Sequence, residues 1–228
     1  MQTKRIGIVA SVQGLSFGIS KVYHDFLTQF GDVVLVSGDV LEPDPSLDLL
    51  VLPGGADINP LQYGAVPSVH TNKPNVFLEF FDHRVLPQYV KLLKNKERLK
   101  GIFGICRGSQ ALNIHLGGTL HQHIAQKESG IDRGNCVDVL DINPELRKRI
   151  PALKVKNGYK VNSIHHQGMF EPGLAMGLKP MAKNKTYLNV EAFIHETWPI
   201  AGVQWHPEEM AYDSFSIHII KNFLRDAH

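Results

Sequence analysis

Cys106 lies in the run Gly104-Ile105-Cys106-Arg107-Gly108, between an apolar stretch that ends at Ile105 and a helix-compatible stretch over 109–114. A side chain at such a strand-to-helix turn is pushed out above the carboxyl edge of the sheet, and flanking glycines relieve the backbone crowding there. The N-terminus of the following helix and the neighbouring cation of Arg107 favour thiolate over thiol, which makes a cysteine nucleophilic near neutral pH. A free cysteine taken alone is more often a small buried residue. The glycines on both sides of this one favour the nucleophile. Cys136, in GNCVDV, has no such setting and reads as structural.

Acyl transfer by a thiolate also needs a proton for the departing amine and a base for the hydrolytic water, so a histidine must be within reach. Among twelve histidines, His206 stands two residues before Glu208 in VQWHPE. On an extended segment both side chains project to the same side. Glu208 would then fix the imidazole tautomer and stabilise the imidazolium, while Pro207 suits a strand end because it cannot continue a ladder. Donors for an oxyanion are offered by Pro53-Gly54-Gly55, a turn whose N–H groups no bulky side chain blocks. Gly55 and the amide of Arg107 are the candidates. A PGG turn by itself is usually only a turn, and these residues alone specify an acyl transfer without naming the acyl group.

Apolar, β-branched runs over 5–10, 32–38, 47–54 and 99–105 have the near-continuous hydrophobicity of strands in a parallel sheet covered on both faces. Residues 17–30 and 76–93 carry apolar side chains at helical spacing, the second with Pro87 expected to kink or split it. This alternation predicts a doubly wound α/β sheet. Beyond Leu116 the rhythm changes to strand-like runs at 137–142, 153–165 and 188–195, with a tight turn at Asn157-Gly158. A last strand over 201–209 and a helix over 212–225 close the pattern.

With 228 residues, 43% hydrophobic content and a net charge of +2, the chain fits a single domain over 1–228 and carries no global field suited to nucleic acid or anionic membranes. The basic segments 91–100 and 147–160 read as solvated faces. The N-terminal apolar stretch is short and β-branched, a first strand rather than a leader. No run approaches the roughly 20 apolar residues of a membrane helix. Two cysteines in such different contexts predict no disulfide and a cytoplasmic location.

The segments GICRGSQALNIHLGGTLHQHI, GVQWHPEE and LPGGADINPLQYG resemble the class I glutamine amidotransferase superfamily, the last pointing to its γ-glutamyl-γ-aminobutyrate hydrolase branch, the peptidase C26-like group. The likeness runs in order from about Ile6 to the C-terminal helix. It implies a flavodoxin-like three-layer sandwich around a central, mostly parallel sheet, with added strands or hairpins in the C-terminal half. It implies a Cys106–His206–Glu208 triad working through a γ-glutamyl thioester, with Gly54, Gln110 and His166 on the substrate side. The segment VNSIHHQ matches the family's NSxHHQ; His165, His195, His115, His121 and His123 are left as structural or surface residues. No cofactor is implied, and a metal site in HLGGTLHQH would need further acidic or sulfur ligands. One departure is visible: where this branch commonly has an Arg-Asp pair ahead of a glutamate, the chain keeps Glu79 but has Asn75 and Val76.

Three readings follow. The first is a stand-alone hydrolase of γ-glutamyl amide bonds, in glutamine or a γ-glutamyl amine. The second is a glutaminase subunit passing ammonia to a synthetase, which would be another chain. The third is a non-catalytic binding protein on the same fold. The partners expected are a small γ-glutamyl substrate, with a homodimer open, and neither nucleic acid nor membrane.

Overall fold

The computed structural model describes residues 3–13, 16–37, 42–124, 137–145, 150 and 155–225. The chain runs through β1 (Arg5–Val9), β2 (Ser11–Gln13), β3 (Ser16–Gly18), α1 (Lys21–Leu27), β4 (Asp32–Val36), β5 (Leu49–Leu52), α2 (Val76–Phe80), α3 (Leu86–Lys94), β6 (Gly101–Ile105), α4 (Arg107–His115), β7 (Val137–Ile142), β8 (Lys160–Asn162), β9 (Leu178–Asn184), β10 (Val190–His195), β11 (Ile200–Val203) and α5 (Ser214–Phe223).

Nine of these strands form one sheet in the order β4-β1-β5-β6-β11-β10-β9-β7-β8. The first five are parallel to one another, and β10, β9, β7 and β8 extend the sheet in antiparallel fashion. The fold is therefore an α/β sandwich of the expected class with its added strands in the C-terminal half. Adjacent residues of a strand face opposite sides, so Phe103 and Ile105 pack with Phe26, Leu27 and Phe215 of α1 and α5. Ile102 packs on the other face with Leu86, Tyr89, Ala111 and Leu112 of α3 and α4. Burying each such side chain contributes roughly 1.5–3 kcal/mol. No helix among the described residues is long and apolar enough to cross a membrane.

Several boundaries differ from the sequence expectation. The first helix begins at Lys21, not Phe17, because Ser20 is still extended (φ −65°, ψ 146°) and residues 16–18 pair with 11–13 in a small hairpin. The helix over 76–93 is split, as Pro87 led one to expect, into α2, a π-helical turn (Phe81–Val85) and α3, with Pro87 in the first turn of α3. A proline lacks an N–H and crowds the preceding turn, so the ladder slips ahead of it. The strand expected over 153–165 is confined to β8, although Gly158 makes the anticipated turn at φ 84°. Residues 153 and 154, and Cys136, lie outside the described residues. The strand expected from residue 188 begins at Val190, because Leu188 turns at φ 62°. β9 was not anticipated, since LKPMAKN carries a proline and two lysines without clear alternation.

Candidate active site

Three neighbouring strands of the parallel core end at the same edge, and each delivers one part of the site. β5 leads into Pro53-Gly54-Gly55, β6 into Cys106, and β11 into the segment 204–208. The carboxyl edge is where open α/β sheets bind ligands.

Cys106 occupies φ 49°, ψ −109°, a conformation rare for a residue with a Cβ, between the last residue of β6 and the first of α4. Such strain costs on the order of 1–3 kcal/mol and persists only where the surroundings enforce it. They do so here: the Cys106 amide donates to the Val203 carbonyl at 2.8 Å and the Cys106 carbonyl accepts from Ser109 Oγ at 2.7 Å. The flanking glycines are required by space. A Cβ on Gly108 would lie 2.1 Å from the Leu52 carbonyl oxygen, and one on Gly104 would lie 2.6 Å from the Ser109 nitrogen. The guanidinium of Arg107 does not serve as the free cation beside the thiolate that the sequence suggested. It is buried and paired with Asp82 of the π-helical turn, Nη2 to Oδ2 at 2.5 Å.

His206 donates from Nδ1 to Glu208 Oε1 at 2.6 Å, and both side chains are largely buried. Contact is not made along an extended strand as expected. β11 stops at Val203 and Glu208 sits in a single 3-10 turn, Pro207–Glu209, which brings the carboxylate back under the ring. Burial disfavours the imidazolium of His206, but hydrogen bonds to Cys106 and Glu208 and the charge on both outweigh it, pushing its pKa up to about 11. The structure thus brings Cys106, His206 and Glu208 together.

Gly54 lies against the imidazole: a Cβ there would come within 2.6 Å of His206 Cε1. Its N–H donates to the Tyr23 hydroxyl at 2.8 Å. A Cβ on Gly55 would meet Leu78 at 2.7 Å and lie 3.9 Å from Arg107 Cδ, so Gly55 is beside the first residue of α4. The loop that follows is held by Glu79, whose Oε1 accepts from the Asn59 amide and Gln62 Nε2. Asn75 caps α2, accepting from the amides of Phe77 and Leu78.

Gln110 is buried on α4 and donates from Nε2 to the Gln167 carbonyl and to Gln204 Oε1. His166 lies farther out, with Nε2 3.0 Å from Asp57 Oδ2 and its ring against His123, which stacks on His70. His165 is buried between Asp138 and Glu191, 3.7 Å from each carboxylate. His121 rests on Phe170 and His195 on Trp198. His115 is held below the usual histidine range by burial, then by the charges of Lys94 and His83.

Three contributors escaped the sequence reading. Gln204 donates from Nε2 toward Cys106 Sγ at 3.6 Å; it precedes His206 by two, and a polar residue inside an apolar strand end was the available signal. Asn162 clamps the His206 backbone at both ends, accepting from its amide and donating to its carbonyl, each at 2.8 Å. Tyr23 touches both the Gly54 turn and the imidazole.

Residues 39–208 match the peptidase C26 family. A glutamine amidotransferase-like protein of Lactococcus lactis subsp. lactis is 32% identical over 71% of this chain and 66% of its own length. The gamma-glutamyl-gamma-aminobutyrate hydrolase of Escherichia coli O157:H7 is 29% identical over 72% of this chain and 65% of its own. The chain thus matches just under two thirds of either relative. A crystal structure of a glutamine amidotransferase from Thermotoga maritima, 16% identical, superposes with a TM-score of 0.59 over 91% of this chain and 77% of that one, a likeness of fold.

Proposed function

The chain belongs to the peptidase C26 family, and from that premise we propose that it hydrolyses γ-glutamyl amide bonds, in glutamine or a γ-glutamyl amine, through a thioester on Cys106. The observation that carries this reading is the meeting of the strained Cys106 with the His206–Glu208 pair at adjoining strand ends.

Cys106 Sγ attacks the amide carbonyl. The tetrahedral oxyanion is received by the backbone N–H groups of Gly55 and Arg107, and preorganised donors of this kind are worth about 10²–10³-fold each in rate. Imidazolium His206 gives its proton to the departing amine, then takes one from water as that water attacks the thioester. Glu208 holds the ring through Nδ1 and balances its charge. Gly54 and His166 line the substrate side. Gln110 contributes through its Oε1, its Nε2 being engaged by Gln167 and Gln204.

Purified protein incubated with a panel of γ-glutamyl compounds, glutamine included, is expected to release glutamate. Cys106→Ala is expected to lower that release at least about 10³-fold, the scale on which loss of a nucleophile acts. Undiminished turnover in that variant would sink the mechanism. The name of the Lactococcus relative keeps a second reading in view, a glutaminase that hands ammonia to a separate synthetase. Glutamine turnover that rises sharply only when an amide-forming ligase is added would favour it.

A further inference from the structure

Building on the Cys106–His206–Glu208 reading, we propose that Tyr23 is a positioning residue that ties the catalytic carboxylate of Glu208 to the turn carrying the oxyanion donors.

The hydroxyl of Tyr23 accepts the Gly54 N–H at 2.8 Å. It also lies 3.5 Å from His206 Nδ1, but that nitrogen already donates its proton to Glu208 Oε1 and cannot accept another. The Tyr23 proton is therefore left for the Glu208 carboxylate, whose charge bears on the phenol and whose Oε2 is buried without a hydrogen-bond partner. A phenol in this position accepts from the turn and donates to the acid, a pairing that no aliphatic residue on the same helix face could make. Burial, then the negative charges of Glu208 and Cys106, hold the phenol well above its ordinary pKa, so it stays a donor at every working pH. The fit is tight: a Cβ on Gly54 would stand 2.9 Å from the Tyr23 oxygen and 2.6 Å from His206 Cε1. Turn, phenol and imidazole are therefore packed directly against one another.

A consequence concerns the oxyanion hole. With the Gly54 N–H committed to Tyr23, stabilisation falls to the amides of Gly55 and Arg107. The titratable groups facing the hydroxyl are Glu208, His206 and Cys106; Asp25, on the same helix, is paired with Lys21.

The test is Tyr23→Phe, which keeps the ring and removes the hydroxyl. Two readouts are needed: glutamate release, and alkylation of Cys106 by iodoacetamide across pH, with peptide mapping to separate it from Cys136. Without its donor, Glu208 holds the imidazolium more tightly, so the thiolate persists while His206 becomes a poorer acid toward the leaving amine. The expected outcome is a kcat lowered roughly tenfold or more with KM within threefold, a partial loss of the roughly 10²–10⁴-fold that general acid–base catalysis supplies. Alkylation of Cys106 is expected to keep its rate within about threefold, its acid limb displaced to lower pH, as a tighter imidazolium partner favours thiolate. A parallel fall of both activities would mark Tyr23 as merely structural, and wild-type kcat with an unmoved limb would show it idle; either overturns the proposal. Cys106→Ala, run alongside, separates the two readings. Full hydrolysis in that variant overturns the triad itself, whereas loss there with wild-type behaviour in Tyr23→Phe overturns only the role of Tyr23. The alkylation arm requires no knowledge of the substrate.

Discussion

At the scale of single residues, the site is governed by one proton on His206. Its folded pKa, about 11, stands above the ordinary value of 6.5. A group raised in this way contributes stability that is fully present below about pH 6.5 and is lost as pH climbs through about 11. Thermal melting of the wild type is therefore expected to fall between pH 7 and pH 11 by more than that of His206→Gln; parallel curves would contradict the ion-pair picture. Asn162 supports the same residue from behind, through two main-chain hydrogen bonds. Asn162→Ala leaves a partly buried amide and carbonyl without partners, at a cost of about 1–3 kcal/mol in chemical denaturation. Because the imidazole loses its anchor, kcat is expected to fall with little change in KM.

At the scale of elements, Cys106 is presented by the packing of α4 onto the ends of β5 and β6. This is where glycine is indispensable. In Gly108→Ala the new methyl would meet the Leu52 main chain, with the carbonyl oxygen 2.1 Å away. Backbone cannot yield as a flexible side chain would, so the variant is expected to lose about 1–3 kcal/mol or more by overpacking and to alkylate more slowly at Cys106. The π-helical turn has a comparable task. It sets Asp82 against Arg107 in a pair with side-chain exposures of 8% and 4%. Removing one partner of a buried pair costs about 3–5 kcal/mol because the other charge stays behind. Asp82→Ala should show that loss in urea unfolding, and Asp82→Asn should recover part of it by restoring a hydrogen-bonding group.

At the scale of the whole molecule, one sheet serves two cores, and the edge that carries Cys106 is shared between them. Phe193 of β10 belongs to one core cluster, while its ring presses on Gly202 of the neighbouring β11, where a Cβ would stand 2.7 Å away. Phe193→Ala is expected to cost about 3–5 kcal/mol. Since β11 also carries the chain toward His206, loss of secondary structure and exposure of Cys106 to alkylation should coincide in denaturant, as cooperative unfolding requires. Separate midpoints would show that the antiparallel extension unfolds as its own unit. The extension has a direct task at the site as well: β8 supplies Asn162, and Asp213, the N-cap of α5, accepts from Trp205 Nε1 and Tyr159.

The amino-acid sequence by itself determined the parallel core, the turn that holds Cys106, and the pairing of His206 with Glu208, because strand and helix periodicity and close spacing are properties of short segments. It also indicated the Asn157-Gly158 turn, where φ must be positive. Tertiary structure alone decided how those residues are held. Tyr23 and His206 are 183 positions apart, Gln110 and Gln204 are 94 apart, and Asn162 and His206 are 44 apart. No local pattern encodes such meetings, for Tyr23 looks like any residue on an apolar helix face until β5 and β11 bring a lone amide and an imidazole to its hydroxyl. The same reason explains Arg107, whose sequence neighbour is Cys106 but whose guanidinium goes to Asp82, because a buried charge is stable only beside its opposite.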